Sequence, residues 1–356
     1  MRSTVIDKEL RAFFEYKKTD RLWHIPAIAA LSVSVPFFVA YALGFMQDGI
    51  QASIGGLVSL YIHSGSVKRR MKVLLLVAAG FVVSFGTGLI FSYNPYISAL
   101  AIAVFSMFVH GLKNRYRLPA PGNFFFIMVA SIGCFMPYNP QTILLKMSIL
   151  SAGALWACLL GFLYALYITR KFPHQPKAKT PPKRKDVSTV ESILIGIIMG
   201  ASILASHALK LPNPYWVPIS CLAIIQGINQ RIVWHRTIQR IIGTIIGLGI
   251  AWLLLKINHH PLFLGVCIMV LQFLIELFIV RNYGLAVIFI TPMTIFLAEA
   301  GAFSTLQPDE LFVYRFIDIL VGAMIGALGG ILIHSQKLYA HTRLQVTQTK
   351  KRLSKK

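Results

Sequence analysis

The chain has 356 residues, of which 56% are hydrophobic and only 13% are charged, and its mean hydropathy is +0.67. A soluble domain usually carries about 25% charged residues, so this composition excludes an ordinary globular enzyme and a disordered chain. The 35 Lys and Arg against 12 Asp and Glu give a net charge of +23. Because the basic residues lie in short connectors between apolar runs, we expect an all-α, polytopic membrane protein that contacts the lipid bilayer and binds no nucleic acid.

The apolar runs predict about twelve transmembrane helices, since a membrane-spanning helix needs roughly 17–25 mostly apolar residues. The predicted segments lie near 25–45, 49–63, 72–92, 95–111, 121–136, 144–168, 191–208, 214–229, 238–256, 260–279, 284–300 and 314–334. Several connectors are short, so a count of ten or eleven stays open.

Lys and Arg are concentrated in every second connector between these segments. With the N-terminus inside, 31 of the 35 fall in predicted cytoplasmic stretches. The others lie on or near the outer side and are Lys146, Lys210, Lys256 and Arg315. Because basic loops stay in the cytoplasm, this distribution predicts a multi-pass protein with both termini cytoplasmic.

A stretch rich in Pro and Lys, residues 169–190, divides the chain into two halves. We interpret it as a cytoplasmic linker that also has the charge to touch anionic lipid headgroups. The predicted organisation is a cytoplasmic N-terminal segment (1–24), a first six-helix unit (25–168), the linker (169–190), a second six-helix unit (191–335) and a basic cytoplasmic tail (336–356).

The two halves have the pattern of parallel six-helix repeats. Residues of the same type recur 166 positions apart at Arg70 and Arg236, Pro95 and Pro261, and Arg115 and Arg281. Towards the end of each half the spacing becomes 169, at Lys146 and Arg315, Gly153 and Gly322, and Gly161 and Gly330. Six helices return the chain to the same side, so the repeats would be related by an axis along the membrane normal.

The sequence offers no motif for catalysis or metal binding. The four cysteines lie within apolar segments without CxxC spacing, and no P-loop, HExxH or GxSxG pattern is present. We therefore expect no enzyme activity, no catalytic residues, no metal and no cofactor.

Charges at the outer edge of the apolar zone are costly, so they are functional candidates. Lys146 and Arg315 begin the last segment of each half and would face each other across the repeat axis, where they could attract a carboxylate. The alternative is that both extend to the outer headgroups. Asp318 lies one turn after Arg315, either as its intrahelical partner or as a proton-coupling carboxylate.

Three arginines, Arg236, Arg240 and Arg281, cluster at the cytoplasmic ends of segments 9 and 10. They would concentrate anions on the cytoplasmic side, or else serve as topology anchors. Glu276 is the acidic residue well inside segment 10. It is poorly spaced to pair with Arg281, so a partner on another helix such as Arg240 is expected, with proton coupling as the alternative.

Segments 2 and 8, residues 48–64 and 214–229, are short and broken by Gly or Pro at matched positions. Such a pair points to a site near the middle of the membrane. The polar residues that they and segment 11 offer to this site are Gln51, Ser220, Gln226 and Thr291, with Pro292 freeing a backbone carbonyl. Tyr215 and Trp216 either stack on an aromatic substrate or belong to the interfacial aromatic belt.

The second half carries a recognisable pattern. It reads PNPYWVPISCLAIIQG (212–227), HRTIQRIIGTIIG (235–247), RNYGLAVIFITPMT (281–294) and RFIDILVGAMIGALGG (315–330). It resembles the fusaric acid resistance family, also called the aromatic acid exporters, which is distantly related to the aluminium-activated malate transporters of plants.

This resemblance implies a permease of the bacterial inner membrane that exports small organic anions, especially aromatic or hydrophobic carboxylic acids, driven by membrane potential or a proton gradient. It also implies small carboxylate anions and a periplasmic membrane-fusion adaptor as candidate partners, and it leaves the oligomeric state open. The alternatives are a passive anion channel similar to the malate channels and a membrane scaffold that transports nothing.

Overall fold

The structure is a computed structural model that describes residues 11, 14–19, 21–63, 65–116, 118, 120–171, 189–211, 213–258, 260–299 and 308–335. Most of the predicted linker, the start of the predicted N-terminal segment and the predicted tail (336–356) lie outside these ranges.

The described ranges contain twelve α-helices and no β-strand, which confirms the prediction of an all-α membrane protein. The helices are α1 (His24–Ala42), α2 (Met46–Gly56), α3 (Val67–Ile90), α4 (Pro95–Tyr116), α5 (Phe124–Cys134), α6 (Pro140–Lys171), α7 (Thr189–Ala208), α8 (Trp216–Ile225), α9 (Gln230–Ile257), α10 (Pro261–Phe278), α11 (Tyr283–Glu299) and α12 (Pro308–Ile333). A 3-10 turn, Leu57–Tyr61, continues α2.

Eight of these helices are long and apolar enough to cross a membrane on their own: α1, α3, α4, α6, α7, α9, α10 and α12. Shorter apolar helices are α5, α8 and the Tyr283–Leu297 part of α11. Each of the twelve predicted segments coincides with one helix, while the number of membrane crossings stays a prediction.

Proline marks the beginning of matched helices in the two halves. Helices α4, α6, α10 and α12 each begin at a proline. Proline suits the first helical position because its missing N–H would have no partner there and its fixed φ is already helical.

Helix α2 is short and packs closely because of two consecutive glycines. A Cβ on Gly55 would lie 2.2 Å from the Leu150 carbonyl oxygen of α6, and one on Gly56 would lie 2.2 Å from the Ser32 carbonyl oxygen of α1. In the second half, Gly322 of α12 lies against the backbone of Val217 in α8 in the same way. Small residues thus allow the second and sixth helices of each half to approach closely.

The two halves contact each other through exchanged pairs of helices. Helix α4 packs on α7 while α10 packs on α1, and α5 contacts α8 while α11 contacts α2. The fourth helix of each half therefore packs on the first helix of the other half, and the fifth helix of each half contacts the second helix of the other half.

Ion pairs follow the same exchange. His110 of α4 lies 3.6 Å from Glu191 of α7, and Glu276 of α10 lies 2.5 Å from Arg21, just before α1. Residues 110 and 276 are 166 positions apart, which is the spacing of the sequence pattern.

Candidate transport site

Helix α8 is the platform of the candidate site. All ten of its residues, Trp216–Ile225, are buried, and it packs against α5, α7, α9 and α12. Trp216 and Ser220 lie one helical turn apart on this helix, about 6 Å along its axis. Each of these two side chains contacts an arginine from a different neighbouring helix.

Arg315 of α12 lies over Trp216. Its guanidinium carbon is 3.2 Å from the centre of the Trp216 ring, and its Nη2 donates a hydrogen bond of 2.7 Å to the Thr294 hydroxyl of α11. Only 1% of Arg315 is exposed, so the cation–π contact is desolvated and is worth about 2 kcal/mol or more. The ring and the hydroxyl fix the orientation of a cation inside the helix bundle.

Asp318 follows Arg315 by one turn on α12 and is fully buried. Within the described ranges, neither of its carboxylate oxygens accepts a hydrogen bond. A buried charge without hydrogen bonds is costly, so this carboxylate is either held by the neighbouring guanidinium or free to take up a proton.

Arg240 of α9 holds the inner position on the platform. It is 4% exposed, and its Nε and Nη2 donate to the Ser220 hydroxyl at 3.4 and 3.2 Å. No carboxylate of the described residues lies within 4.0 Å of it. Arg240 is thus a buried cation whose hydrogen-bond partner among the described residues is a neutral hydroxyl.

The C-terminal end of α8 is covered by side chains from three other parts of the chain. Arg236 donates to the Ala223 carbonyl oxygen at 2.9 Å and lies 4.9 Å from the ring centre of Tyr283. His334 contacts the Gly227 carbonyl oxygen at 2.7 Å. Cations at a helix C-terminus are favourable because the last carbonyl groups have no helical donor.

Helix α11 lines the site beside α9. Because Pro292 has no N–H, it leaves the Ile288 carbonyl without its usual helical partner. A Cβ on Gly247 of α9 would lie 2.8 Å from that carbonyl oxygen and 2.7 Å from the Thr291 Cβ. The absence of a side chain at Gly247 therefore brings α9 against the broken turn of α11.

Residues 200–329 match the family model described as fusaric acid resistance protein-like. This confirms the resemblance inferred from the sequence. The candidate site, from Trp216 on α8 to Asp318 on α12, lies entirely inside the matched stretch.

Two curated relatives are also similar. The chain is 34% identical over 149 residues to the uncharacterized membrane protein YvaC of Bacillus subtilis (strain 168), a match that covers 40% of this chain and 23% of YvaC. It is 24% identical over 161 residues to the uncharacterized protein YhfK of Escherichia coli (strain K12), covering 45% of this chain and 22% of YhfK. The chain thus spans less than a quarter of the length of these relatives, and no solved structure matches it.

The family match and the apolar helices together describe a multi-pass membrane protein whose second half is similar to fusaric acid resistance proteins. The protein is therefore embedded in the lipid bilayer.

The structure brings together Arg315, Asp318, Trp216, Ser220 and Arg240, with Thr291 and Pro292 alongside. Lys146 lies apart from these contacts, because its ammonium donates to the Pro137 carbonyl oxygen at 3.5 Å and is partly exposed, whereas Arg315 is buried over Trp216. That the two residues face each other across the repeat axis stays a prediction.

Three other predicted residues lie apart from the platform contacts. Gln51 donates to the backbone carbonyl of Lys146. Gln226 is half-buried at the C-terminal end of α8, and Tyr215 lies directly before α8 with its ring centre 5.1 Å from that of Trp216. Trp216 itself is 6% exposed and its face is covered by Arg315, so it belongs to the protein interior rather than to the interfacial belt.

The expected pairing of Glu276 with Arg240 is wrong. Glu276 pairs with Arg21, whose guanidinium donates to its carboxylate at 2.5 Å and to its backbone carbonyl at 3.2 Å. Arg281 lies 5.7 Å from the ring centre of Tyr16 and donates to the Leu277 carbonyl oxygen. The stretch before α1 therefore covers the C-terminal end of α10, where we expected an open funnel of arginines.

Sequence reasoning missed two residues that contact arginines. Thr294 in α11 is the partner of Arg315, and Tyr283 at the start of α11 is the partner of Arg236. Thr294 could have been found, because it lies three residues after Thr291 and therefore on the same face of an apolar helix. Tyr283 stands within the RNYG pattern, but nothing in the sequence assigns it to Arg236.

Proposed function

We propose that this protein exports small organic anions, in particular aromatic or hydrophobic carboxylates, across the bacterial inner membrane through its second half. The observation that carries the proposal is the pair of buried guanidinium groups, from α12 and α9, that contact residues one helical turn apart on α8. Trp216 and Thr294 orient the outer one, Arg315, and Ser220 orients the inner one, Arg240.

Buried cations of this kind favour an anionic ligand. Removing a guanidinium from water costs several kcal/mol, and a carboxylate at close range offsets that cost. The planar guanidinium can bind both oxygens of a carboxylate at once. Arg240, whose described partner is a hydroxyl, is suited to bind a passing carboxylate before Arg315 receives it.

The site is closed in this structure. Arg315, Asp318, Ser220 and Arg240 are each less than 5% exposed. Transport therefore requires the helices around α8 to move, and the inner closure formed by Arg236 and Tyr283 is the contact that a cytoplasmic anion would have to open.

An interior-negative membrane potential is sufficient as a driving force. It favours the outward movement of one negative charge by about 2.3 kcal/mol per 100 mV. A proton gradient would contribute only if an acidic group of the pathway takes up a proton, and Asp318 is the one placed to do so.

The proposal includes two parallel six-helix repeats with twelve crossings and both termini cytoplasmic. The exchanged helix contacts between the halves, the exchanged ion pairs and the matched prolines support this arrangement. An adaptor remains a candidate partner through the family resemblance alone.

The experiment is the flux of benzoate from proteoliposomes under a clamped potential, with and without a pH gradient. We expect flux that follows the potential and falls steeply in Arg315→Gln, with Lys146→Gln as the matched control that removes a cation outside the site. Flux that requires the pH gradient and disappears in Asp318→Asn would indicate proton coupling.

Two results would point elsewhere. Single-channel currents that are unaffected by Asp318→Asn would favour the passive channel. Equal flux in the wild type and Arg315→Gln, for benzoate and for longer aromatic carboxylates, would contradict the proposed pathway. Flux of these carboxylates no greater than that of protein-free liposomes would favour a scaffold.

A further inference from the structure

The predicted topology places the C-terminal end of α6 at the cytoplasmic headgroup layer of the membrane. Helix α6 has 32 residues and is therefore about 48 Å long, whereas the hydrocarbon core is about 30 Å thick. Aromatic side chains, which are typical of this layer, lie around its last turns. The rings of His24 and Trp23 stack with their centres 4.3 Å apart, and the centre of the His24 ring is 5.8 Å from that of Tyr167.

An open groove of about 550 Å³ lies along this end of the helix, and we call it the α6 groove. It is lined by Leu163, Leu166, Tyr167, Arg170 and Lys171. Leu166 lies one turn and Leu163 two turns deeper than the basic residues, because position 166 precedes position 170 by four residues and position 163 precedes position 171 by eight.

The groove therefore has an apolar part towards the membrane interior and a cationic part at its edge. Leu163 is 52% exposed and Tyr167 44%, so the apolar part is open to the surrounding lipid. The Lys171 ammonium donates to the Tyr167 hydroxyl at 2.8 Å, which holds that cation over the groove. Arg170 is exposed beside it.

We propose that the α6 groove binds an anionic phospholipid, with the headgroup phosphate at Arg170 and Lys171 and an acyl chain along Leu163 and Leu166. Basic pockets on the cytoplasmic side of membrane helices suit anionic headgroups, and the groove matches both the charge and the apolar part of such a lipid. A free phosphate would use the cations but not the leucines.

The test measures the retention of phosphatidylglycerol and of phosphatidylcholine on the purified full chain by native mass spectrometry. We expect tighter retention of phosphatidylglycerol in the wild type and a loss of about 30-fold in the variant R170A/K171A, since each basic side chain near an anionic lipid changes binding roughly fivefold. The matched control is K68A/R69A, which removes the same charge from exposed positions at the start of α3 and should retain the lipid.

Further variants and a soluble competitor separate the alternatives. L163N/L166N should weaken phosphatidylglycerol while leaving the cations in place, and R170K/K171R should bind as the wild type does. Equal losses in both charge-removing variants would overturn the proposal in favour of a diffuse electrostatic effect. Full competition by glycerol phosphate, with no effect of L163N/L166N, would overturn it in favour of a free-phosphate site.

Discussion

The two halves of the proposed repeat are filled by different side chains. In the first half, the rings of Tyr61, Phe81 and Phe126 contact one another, with centres 5.4 to 6.1 Å apart. The positions 166 residues further on hold two glycines and a proline, at Gly227, Gly247 and Pro292. Where the first half has packed aromatic rings, the second half has backbone in close contact.

The polar residues show the same contrast. The second-half residues Ser220, Arg240 and Thr291 correspond by this spacing to Ile54, Leu74 and Phe125. With the spacing of 169, Asp318 corresponds to Ile149. These four polar residues therefore have apolar counterparts, whereas Arg315 corresponds to Lys146.

On the proposed function, the first half contributes packing stability and the second half binds the anion. Each aromatic contact in the first half contributes about 0.5–1.5 kcal/mol beyond burial of its area. The buried arginines of the second half lose solvation and so oppose stability. We interpret the first half as the more strongly packed partner that supports a second half committed to the anion.

The largest expected effect concerns Arg240 and its first-half counterpart by sequence spacing, Leu74. Arg240→Met keeps the volume but removes the charge, so benzoate flux should fall at least about 30-fold, because loss of a buried charge partner costs about 2–5 kcal/mol of binding. Its thermal stability should be unchanged or higher, since an apolar residue replaces a buried cation. Leu74→Ala should do the reverse, losing about 2–5 kcal/mol of stability with little change in flux per folded molecule. Normal flux in Arg240→Met would contradict the assignment of anion binding to the second half.

The second prediction concerns the close contact of α9 with α11. Gly247→Ala should lower the free energy of unfolding by about 1–3 kcal/mol, because its Cβ would overlap the Thr291 side chain and the Ile288 carbonyl. Gly249, on the same helix, has open space around it. Gly249→Ala should be neutral or stabilise by up to about 1 kcal/mol. Thermal unfolding in detergent measures both, and equal responses would refute the close contact.

The two exchanged ion pairs should differ in strength. Glu276→Gln should destabilise by about 1.5–3 kcal/mol, because the Arg21 contact is a short, charge-assisted hydrogen bond. Glu191→Gln should cost less, since the His110 contact at 3.6 Å is longer and requires a protonated imidazole. Unfolding of both variants and of the charge swap Arg21→Glu/Glu276→Arg checks this order, and the swap should recover part of the loss.

The smallest expected effect lies in the aromatic cluster of the first half. The Tyr61 hydroxyl donates to the Gly122 carbonyl oxygen at 2.8 Å. Tyr61→Phe keeps the ring contacts and removes this bond, so it should cost about 0.5–1.5 kcal/mol of stability. Flux should stay unchanged, and a large loss of flux would place the pathway in the first half as well.

The helices could be predicted because each depends on local sequence. Apolar length and basic connectors located all twelve, and Gly or Pro identified α2 and α8 as short. Composition alone, however, could not decide how many of them cross the membrane, since α5 and α8 are shorter than the hydrocarbon core is thick.

The site could be predicted in its residues but not in its contacts. Arg315, Ser220 and Arg240 were identified because polar groups in apolar helices are costly. Their partners depend on which helices are neighbours, and sequence spacing does not fix this for residues such as Arg21 and Glu276, which lie 255 positions apart.

The most direct test of the anion pathway compares Ser220→Cys with Ile54→Cys in a background whose four native cysteines are replaced by alanine. Each variant is treated in membranes with an anionic thiosulfonate reagent, with and without benzoate. We predict that Ser220→Cys is modified and that benzoate slows its modification, while Ile54→Cys stays unmodified. Modification of Ile54→Cys with an inert Ser220→Cys would contradict a pathway through the second half.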